Sequence, residues 1–384
     1  MSSPPNKTLV TFSVTNCICH DQRVLKMAET VRRLNCEITI VGRKRGDCCS
    51  TDSVPFRTKR FRMLFSRGFL FYKFFNLRLF FYLLFKKSDL LVSNDLDTLL
   101  PNFLVSKLKR LPLVYDSHEY FTGVPEIQNR PFVRWVWKSI EKMIFPHLQN
   151  VITVCDSIAD QYNKEYGIRP ETIRNCSRKS DIIQPHSREE LGINLDHLLI
   201  ILQGTGINID RGGEELIDAV RQTENVSLLI AGSGDVVPEL KLIVSNHSLD
   251  DRIKFIPKMS WEKMMRYTKS ADIGASLDKD TNMNYRFILP NKLFDYLSAG
   301  IPVIASDLIE VKKIVAENNC GIIIPSVTPE NIRSALMHLQ GNSERLATLK
   351  RNASLTSQKL NWDIESEKVT RLYGEVLRRK GVKA

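Results

Sequence analysis

Apolar runs of strand length alternate with helix-patterned segments along nearly the whole chain. Leu9–Val14 has the composition of a buried strand, Asp21–Leu34 carries its apolar residues on one helical face, and Glu37–Val41 is again strand-like. Strands joined through helices run parallel, and helices then cover both faces of the sheet. The alternation therefore predicts an α/β protein built on parallel sheets.

The alternation is interrupted once, by the polar and basic stretch Arg178–Asn194, and it resumes at Leu198–Leu202. A chain of 384 residues is long enough for two domains. We predict Rossmann-like domains over residues 1–180 and 198–362, with a linker at 181–197 and a C-terminal helix at 363–384 that crosses back to the first domain. Two such domains facing a central cleft would bind a ligand between them.

The positive charge lies in the first half of the chain. Residues 1–180 hold 29 Lys and Arg against 16 Asp and Glu, whereas residues 181–384 hold 26 against 27. Residues 43–87 alone hold 12 basic and 2 acidic residues. Such a patch favours phosphate or anionic lipid. Nucleic acid is not expected as a partner, because no zinc finger, RNP signature or basic zipper is present.

The eight cysteines include no Cys-x-x-Cys pair, and the N-terminal sequence lacks the charged start and apolar run of a signal peptide. We therefore expect reduced thiols and a cytoplasmic protein.

A glycine-rich turn follows the strand Leu198–Leu202 and opens a helix. Gly204, Gly206 and Gly212 allow close approach of the backbone to a ligand, and Arg211 can bind two phosphate oxygens. Many α/β proteins bind nothing at such a turn, so alone it leaves both interpretations open. The spacing matches neither the dinucleotide nor the P-loop pattern.

The stretch Leu289–Ser306 carries the most specific signal. Pro290 can open a helix, Asn291 and Lys292 lie in its first turn, and Asp295 follows one turn later on the same face as Asn291. Lys292 would meet a diphosphate where Asp295 meets a ribose hydroxyl. The alternative is that Asp295 is an exposed helix charge.

Here the sequence resembles the group 1 glycosyl transferases, also called glycosyltransferase family 4. The resemblance includes the strand Gly300–Ser306 with Asp295 before it, the first-helix entry Asp21–Lys26, the strand end Tyr115–Glu119 and the loop Gly204–Gly212. It implies a GT-B fold, an acceptor-binding N-terminal domain, a nucleotide-sugar donor on the C-terminal domain, retention of anomeric configuration and no bound metal.

The chain departs from the family pattern at two places. Phe287 stands where the family has the first of two glutamates. Asp295 stands at the position of the second and has a shorter side chain than glutamate. Thr205 stands where the family has an arginine in the donor loop, and Arg211 stands where the family has a lysine. Subfamilies that begin this helix with Pro-Asn-Lys resemble the chain better, which makes Lys292 a substitute cation.

His118 follows the apolar strand Leu113–Tyr115 and stands beside Glu119. It is either a buried structural histidine or, by its place at a strand end, an active-site group that positions the reacting sugar rather than acting as a general base. Asp21 and Arg23 either cap the first helix and pair with each other or contact the acceptor. Lys258 either flanks the nucleobase or is a solvated loop lysine.

Two Asp-x-Asp patterns, at Asp95–Asp97 and Asp278–Asp280, match a metal-binding signature of another glycosyltransferase fold class. We interpret the first as a helix cap near Thr98 and the second as a polar loop, so no metal site is expected.

Residues 56–87 are the expected membrane contact. Phe69–Phe85 is apolar but is interrupted by Lys73, Asn76 and Arg78, and its 17 residues would span about 25 Å, short of the hydrocarbon core of about 30 Å. An in-plane amphipathic helix fits better than a spanning one, and the alternative is a helix packed on the sheet. Its aromatic residues would enter the lipid, and five basic residues would face lipid phosphates: Arg57, Lys59, Arg60, Arg62 and Arg67.

We therefore expect a cytoplasmic, peripheral membrane GT-B glycosyltransferase that moves a sugar from a UDP- or GDP-linked donor to an envelope polysaccharide or lipid-linked glycan. The expected catalytic residues are His118, Arg211 and Lys292. The donor would contact Gly204, Thr205, Gly206, Arg211, Lys258, Pro290, Asn291, Lys292 and Asp295, and the acceptor would contact Asp21, Arg23, His118 and Glu119. A nucleotide-sugar epimerase of the same fold, or a noncatalytic membrane-associated scaffold, is the alternative.

Overall fold

A computed structural model describes residues 7–45 and 54–379. The chain forms two compact units, Met1–Arg174 with Glu365–Ala384 and Asn175–Ile364. The stretch 181–197, expected to be a linker, lies inside the second unit. The helix Trp362–Arg379 belongs to the first unit from Glu365 onward.

The first unit contains, within its described residues, a sheet of seven parallel strands in the order β3-β2-β1-β4-β5-β6-β7. The strands are β1 Thr8–Ser13, β2 Cys36–Lys44, β3 Arg57–Arg62, β4 Leu90–Asn94, β5 Leu113–Ser117, β6 Asn150–Thr153 and β7 Glu171–Thr172. The helices that accompany them are α1 Gln22–Arg32, α2 Gly68–Phe85, α3 Leu99–Lys109, α4 Pro125–Gln128, α5 Pro131–Ile144 and α6 Asp156–Tyr166.

The second unit, described throughout residues 175–364, has six parallel strands in the order β10-β9-β8-β11-β12-β13. They are β8 Leu198–Gly204, β9 Val226–Gly232, β10 Ile253–Pro257, β11 Ile273–Ser276, β12 Val303–Ser306 and β13 Gly321–Ile324. The helices are α7 Gly213–Arg221, α8 Val237–Asn246, α9 Trp261–Ser270, α10 Met283–Arg286, α11 Asn291–Ala299, α12 Ile309–Glu317, α13 Pro329–Gln340 and α14 Ser343–Lys359, and α15 Trp362–Arg379 ends the described chain.

Strand order reverses once in each sheet. In the first unit β1 lies between β2 and β4, and in the second unit β8 lies between β9 and β11. At such a switch point the loops that leave two neighbouring strands diverge to opposite faces and open a crevice at the carboxyl ends of the strands. Each unit therefore has a place shaped for a ligand, after β1 and β4 in one and after β8 and β11 in the other.

Two expectations about the first unit are wrong. The basic residues of Arg57–Arg62 lie on an edge strand parallel to β2, not on an amphipathic helix. Cys17 and Cys19 are disulfide-bonded, contrary to the expected reduced thiols, while Cys36, Cys155, Cys176 and Cys320 are buried and form no disulfide within the described residues. Cys48 and Cys49 lie outside the described residues.

Candidate active site

Packing of three loops fixes the glycine-rich segment in the second unit. A Cβ at Gly232 would lie 1.8 Å from the Gly204 carbonyl oxygen, so the loops after β9 and β8 touch backbone to backbone. Gly212 has φ +73°, and a Cβ there would lie 2.4 Å from the Leu277 Cβ. Both positions require glycine because neighbouring loops pack against them.

Three charged side chains meet at the switch point of the second unit. Arg211, in the loop after β8, donates to the Oδ1 atom of Asp278, the second residue after β11. Lys292, in the first turn of α11, places its Nζ atom 3.3 Å from the Oδ2 atom of Asp278. The Arg211 guanidinium also lies 4.4 Å from the centre of the Tyr285 ring. The predicted cations, Arg211 and Lys292, are therefore brought together by an aspartate.

The charges in this cluster do not balance. Asp278 is 1% exposed, and although burial opposes its ionisation, Lys292 and Arg211 lower the pKa of its carboxyl. Burial lowers the pKa of Lys292, and Arg211 adds to that effect. One carboxylate thus faces two cations in a largely buried place beside the N-terminus of α11. A bound anion would offset the remaining positive charge, and the helix dipole favours it there.

Asp295 is held by three side chains. Its Oδ1 atom accepts from Trp261 Nε1 at 2.8 Å and from the Ser177 hydroxyl, and its Oδ2 atom accepts from Gln203 Nε2 at 2.9 Å. Asp295 is therefore an oriented acceptor rather than a loose helix charge.

Tyr296 places α11 at the switch point. Its fully buried hydroxyl accepts from the Gln203 backbone at 3.2 Å and lies 3.1 Å from the carbonyl oxygen of Ala275. This hydroxyl links β8, β11 and the helix that carries Lys292.

The other predicted donor residues lie at the start of α11, in the loop after β8 and in the loop after β10. Pro290 is the N-cap of α11, and Asn291 begins the helix and accepts from Asn175 at 2.8 Å. Thr205 and Gly206 are exposed in the loop after β8. Lys258 is exposed after β10, the edge strand, three positions from β11 in the sheet.

Phe287, at the position of the family's first glutamate, follows α10 and is half-buried. It supplies no carboxylate there.

In the first unit His118 lies between two aspartates. Asp95 accepts from the His118 backbone N–H at 2.8 Å, and its other oxygen lies 3.3 Å from the imidazole Nδ1. The Nε2 atom lies 3.5 Å from Asp116 Oδ2. Burial opposes a charged ring, but Asp95 and Asp116 outweigh it and raise the pKa of His118 to about 10. The ring is therefore an imidazolium at neutral pH.

Arg23 supports this histidine through Asp116. Its Nε atom donates to both Asp116 oxygens at 3.1 Å, and its Nη1 atom donates to the Ile173 carbonyl at 2.8 Å. Burial opposes the charge of Asp116, yet Arg23 and His118 lower the pKa of its carboxyl to about 2. Arg23 is 3% exposed, so the geometry favours support of His118 over the predicted acceptor contact. Asp21 caps α1 by accepting from the Val24 backbone at 3.1 Å and does not pair with Arg23.

Asp95 adopts a strained backbone conformation. Its φ of +59° with ψ of 167° is a region occupied almost only by glycine, at a cost of about 1–3 kcal/mol. This conformation brings the Asp95 carboxylate against both the imidazole Nδ1 and the backbone N–H of His118. Asp95 therefore orients His118 and does not cap the helix near Thr98 as predicted.

A cavity of about 270 Å³ lies at the switch point of the first unit. Asp95, Asp97 and Glu119 line one part of it, and Arg43 and Tyr72 line another. Burial raises the pKa of Asp97 to about 8, and the Thr15 hydroxyl donates to that carboxylate. Carboxylates and aromatic rings in a cavity of this size suit a sugar residue. Glu119 lies here as predicted for an acceptor contact.

The aspartates of both Asp-x-Asp patterns are engaged by other side chains. Asp95 and Asp97 are engaged by His118 and Thr15, Asp278 by Arg211 and Lys292, and Asp280 by Arg286 at 3.1 Å. Across residues 7–45 and 54–379 no group of three His, Cys, Asp or Glu side chains is arranged to hold a metal ion. Asp278, however, is a buried ion-pair partner and not part of a plain polar loop.

Sequence reasoning missed four supporting residues: Asp116, Gln203, Trp261 and Asp278. Two of them, Asp116 and Asp278, lie at or just after the ends of β5 and β11. A carboxylate at a strand end near the switch point is the signal by which they could have been found.

Sequence comparison gives two family matches. The model of the glycosyl transferases group 1 matches residues 184–356, and that of glycosyltransferase family 4 matches residues 21–176. The chain is 25% identical over 218 residues to a chitobiosyldiphosphodolichol beta-mannosyltransferase from Candida albicans, covering 52% of this chain and 46% of that protein. It is 20% identical over 301 residues to an alpha-D-kanosaminyltransferase from Streptomyces kanamyceticus, covering 71% and 73%. The chain thus spans about half the length of the first of these relatives.

Solved structures share the whole architecture. Sucrose-phosphate synthase from Thermosynechococcus elongatus has a TM-score of 0.76 at 17% identity, covering 97% of this chain and all of that one. The Anabaena protein HepE, in a complex with UDP, has a TM-score of 0.73 at 16% identity, covering 96% and 100%. These likenesses and the two parallel sheets confirm the predicted GT-B fold. Because the two family models together match residues 21–176 and 184–356, the chain belongs to the group 1 glycosyltransferases.

Proposed function

We propose that the protein transfers a sugar from a nucleoside diphosphate to a glycan or lipid-linked acceptor of the cell envelope. The observation that carries the proposal is the cluster of Arg211, Lys292 and Asp278. A leaving diphosphate carries the negative charge that this cluster lacks, and two cations at the site of developing charge stabilise its departure. Asp295, one turn beyond Asn291 on α11, would accept from the ribose.

The donor is proposed to be a UDP- or GDP-sugar. Support comes from the fold shared with the UDP complex of HepE. The loop Gly204–Gly212 also resembles the donor loop of the family, with Arg211 in place of the family's lysine. No metal is required by this proposal, because side-chain cations and the α11 dipole take over its role toward the diphosphate.

His118 is proposed to hold the transferred sugar or a phosphate oxygen rather than to deprotonate the acceptor. An imidazolium donates hydrogen bonds and has no lone pair for a proton. Asp95, Asp116 and Arg23 keep the ring charged and oriented. The proposed outcome is retention of the anomeric configuration, in which positioning and charge stabilisation supply most of the rate enhancement.

The acceptor is proposed to be an envelope polysaccharide precursor or a lipid-linked glycan, met by a cytoplasmic protein at the inner membrane face. The name of the Candida albicans relative contains a lipid diphosphate acceptor, which supports the lipid-linked alternative. In the cavity of the first unit the Glu119 carboxylate would accept from hydroxyls of the acceptor sugar, and the Asp97 carboxyl would hydrogen-bond to them.

The test is release of nucleotide from labelled UDP- and GDP-sugars, with NMR of the product's anomeric proton. We expect transfer or slow hydrolysis of one donor, with retained configuration and no effect of EDTA. Arg211→Gln should lower the rate, whereas Lys279→Gln, which removes a neighbouring surface ion pair with Glu215, serves as the matched control. Conversion of the sugar without release of nucleotide would identify an epimerase, and no donor turnover or nucleotide binding would favour a scaffold.

A further inference from the structure

One side of α2 is apolar although it is exposed. Phe71, Phe75, Leu79 and Leu83 form a buried stripe that attaches the helix to the first unit. The opposite side exposes Phe69, Leu70, Phe74, Leu77, Phe81 and Phe85, with fractional exposures from 41% to 81%. We name this surface the aromatic face. Exposed apolar side chains gathered on one side of a helix, here with the exposed Lys73 among them, are typical of an interaction site in soluble proteins.

A basic cavity lies where α2 meets the edge strand β3. It measures about 440 Å³ and is lined by five cations, Lys44, Lys59, Arg60, Arg62 and Arg78. The Arg78 guanidinium lies 5.0 Å from the centre of the Phe61 ring and donates to the Arg62 carbonyl at 2.6 Å. The cavity is therefore built partly from a residue of α2 itself.

Three of the five cations that line the basic cavity have no carboxylate partner among the described residues. Arg57, at the start of the strand, pairs with Glu37 at 2.6 Å. Among the described residues, Lys44, Lys59 and Arg62 have no carboxylate partner. Positive charge gathered in this way attracts a phosphate-bearing surface and repels another copy of the same positively charged unit.

Two features of α2, its length and its packing, argue against a membrane span. By length and composition α2 passes as a candidate membrane span, which by itself is weak evidence. Its 18 residues extend about 27 Å, less than the hydrocarbon core of about 30 Å. The buried stripe packs against Phe61 of β3, with ring centres 5.7 Å apart for Phe75, so lipid cannot surround the helix.

We propose that the aromatic face and the basic cavity together form a docking surface for an anionic phospholipid bilayer. The aromatic face enters the boundary between headgroups and acyl chains, and the basic cavity receives headgroup phosphates. Apolar burial and phosphate attraction act jointly in helices that lie in the membrane plane. The inference deepens the proposed function and rests on it for one point, the lipid-linked acceptor that such docking would bring within reach.

The test is co-sedimentation of the full chain with vesicles, without donor or acceptor. Vesicles of phosphatidylcholine are compared with vesicles containing about one third phosphatidylglycerol. We expect binding to the anionic vesicles only, decreasing with salt. The triple variant Lys44→Gln, Lys59→Gln, Arg62→Gln should bind about 100-fold more weakly, because each basic residue near an anionic surface contributes roughly fivefold. Its matched control replaces three exposed lysines elsewhere, Lys142, Lys164 and Lys263, by glutamine.

A second variant addresses the aromatic face. Phe74→Ser, Leu77→Ser, Phe81→Ser should abolish binding even at low salt, whereas serine at Leu242, Ile309 and Met337, which are exposed in the second unit, should not. Equal binding to neutral vesicles, no binding by the wild type, or unchanged binding by both surface variants would overturn the proposal. A wild-type dimer that the aromatic-face variant converts to monomer, with vesicle binding unchanged, would show instead that a second copy covers the face.

Failure of docking and failure of the proposed function are distinguishable. Thermal shift with UDP and GDP measures nucleotide binding at the donor site without lipid. The basic-cavity variant should show the same shift as the wild type, because none of its three substituted positions belongs to the second unit.

Discussion

Replacing Lys292 by methionine should separate ligand binding from folding. The Lys292 ammonium is 11% exposed, and burial and Arg211 lower its pKa. A lysine whose pKa is lower in the folded than in the unfolded chain destabilises the fold wherever it is charged. The proton is then bound more favourably in the unfolded chain than in the fold. Asp278 keeps Arg211 as a partner in the variant, so we expect a Tm equal to or above that of the wild type.

The same substitution should weaken nucleotide binding. It removes one of the two cations proposed to face the diphosphate, and a hydrogen bond to a charged group contributes about 1–3 kcal/mol, or about 5- to 150-fold in Kd. Isothermal titration with UDP and GDP measures the affinity, and differential scanning calorimetry measures the Tm. Lys279→Met is the control: its ammonium is 32% exposed and paired with Glu215, so nucleotide affinity should not change.

Two results would refute this reasoning. A Tm lowered by several degrees with unchanged nucleotide affinity would make Lys292 a structural partner of Asp278 only. Equal loss of affinity in the Lys279 variant would mean that general surface charge, not the buried cluster, attracts the nucleotide.

Four further predictions concern the two sites. Arg23→Met leaves the buried Asp116 with His118 as its remaining charged neighbour, and should lower the free energy of unfolding by about 3–5 kcal/mol in urea titrations; a loss below 1 kcal/mol would contradict the buried pairing with Arg23. The raised pKa of His118 stabilises the fold below about pH 6.5, and that stabilisation is lost toward pH 10, so His118→Gln should flatten the stability profile between these values. The raised pKa of Asp97 makes its ionisation unfavourable in the fold, so Asp97→Asn should match the wild type in Tm near pH 4 and exceed it increasingly up to about pH 8; an unchanged difference across this range would show that Asp97 does not titrate there. Asp295→Asn should weaken binding of UDP more than that of inorganic diphosphate, because only UDP carries the ribose; equal losses would place Asp295 at the diphosphate.

Local patterns were sufficient to predict the fold class and the family. The order of strands and helices, the helix Trp362–Arg379 and the strand at Val303–Ser306 follow from periodicity, because burial of one face imposes a repeat that neighbouring residues reveal. The cations Arg211 and Lys292 were also recognisable, because Arg211 lies in the glycine-rich loop just before α7 and Lys292 lies in the first turn of α11. Each of these signals is carried by residues that lie within about a dozen positions of one another in the sequence.

Contacts between distant residues were decided only by the tertiary structure. Asp278 joins Arg211 to Lys292 across 67 and 14 positions, and Arg23 reaches Asp116 across 93. The sequence pattern of the basic run Arg57–Arg62 fits an edge strand as well as one side of a helix. It is a strand because it pairs with β2, and this pairing cannot be seen in its composition. Likewise, only packing determines which side of α2 is buried, because Phe and Leu occur all around that helix. Sequence specifies which residues are apolar or charged, and the three-dimensional arrangement decides which of them meet, because the path of the chain brings together residues that are distant in sequence.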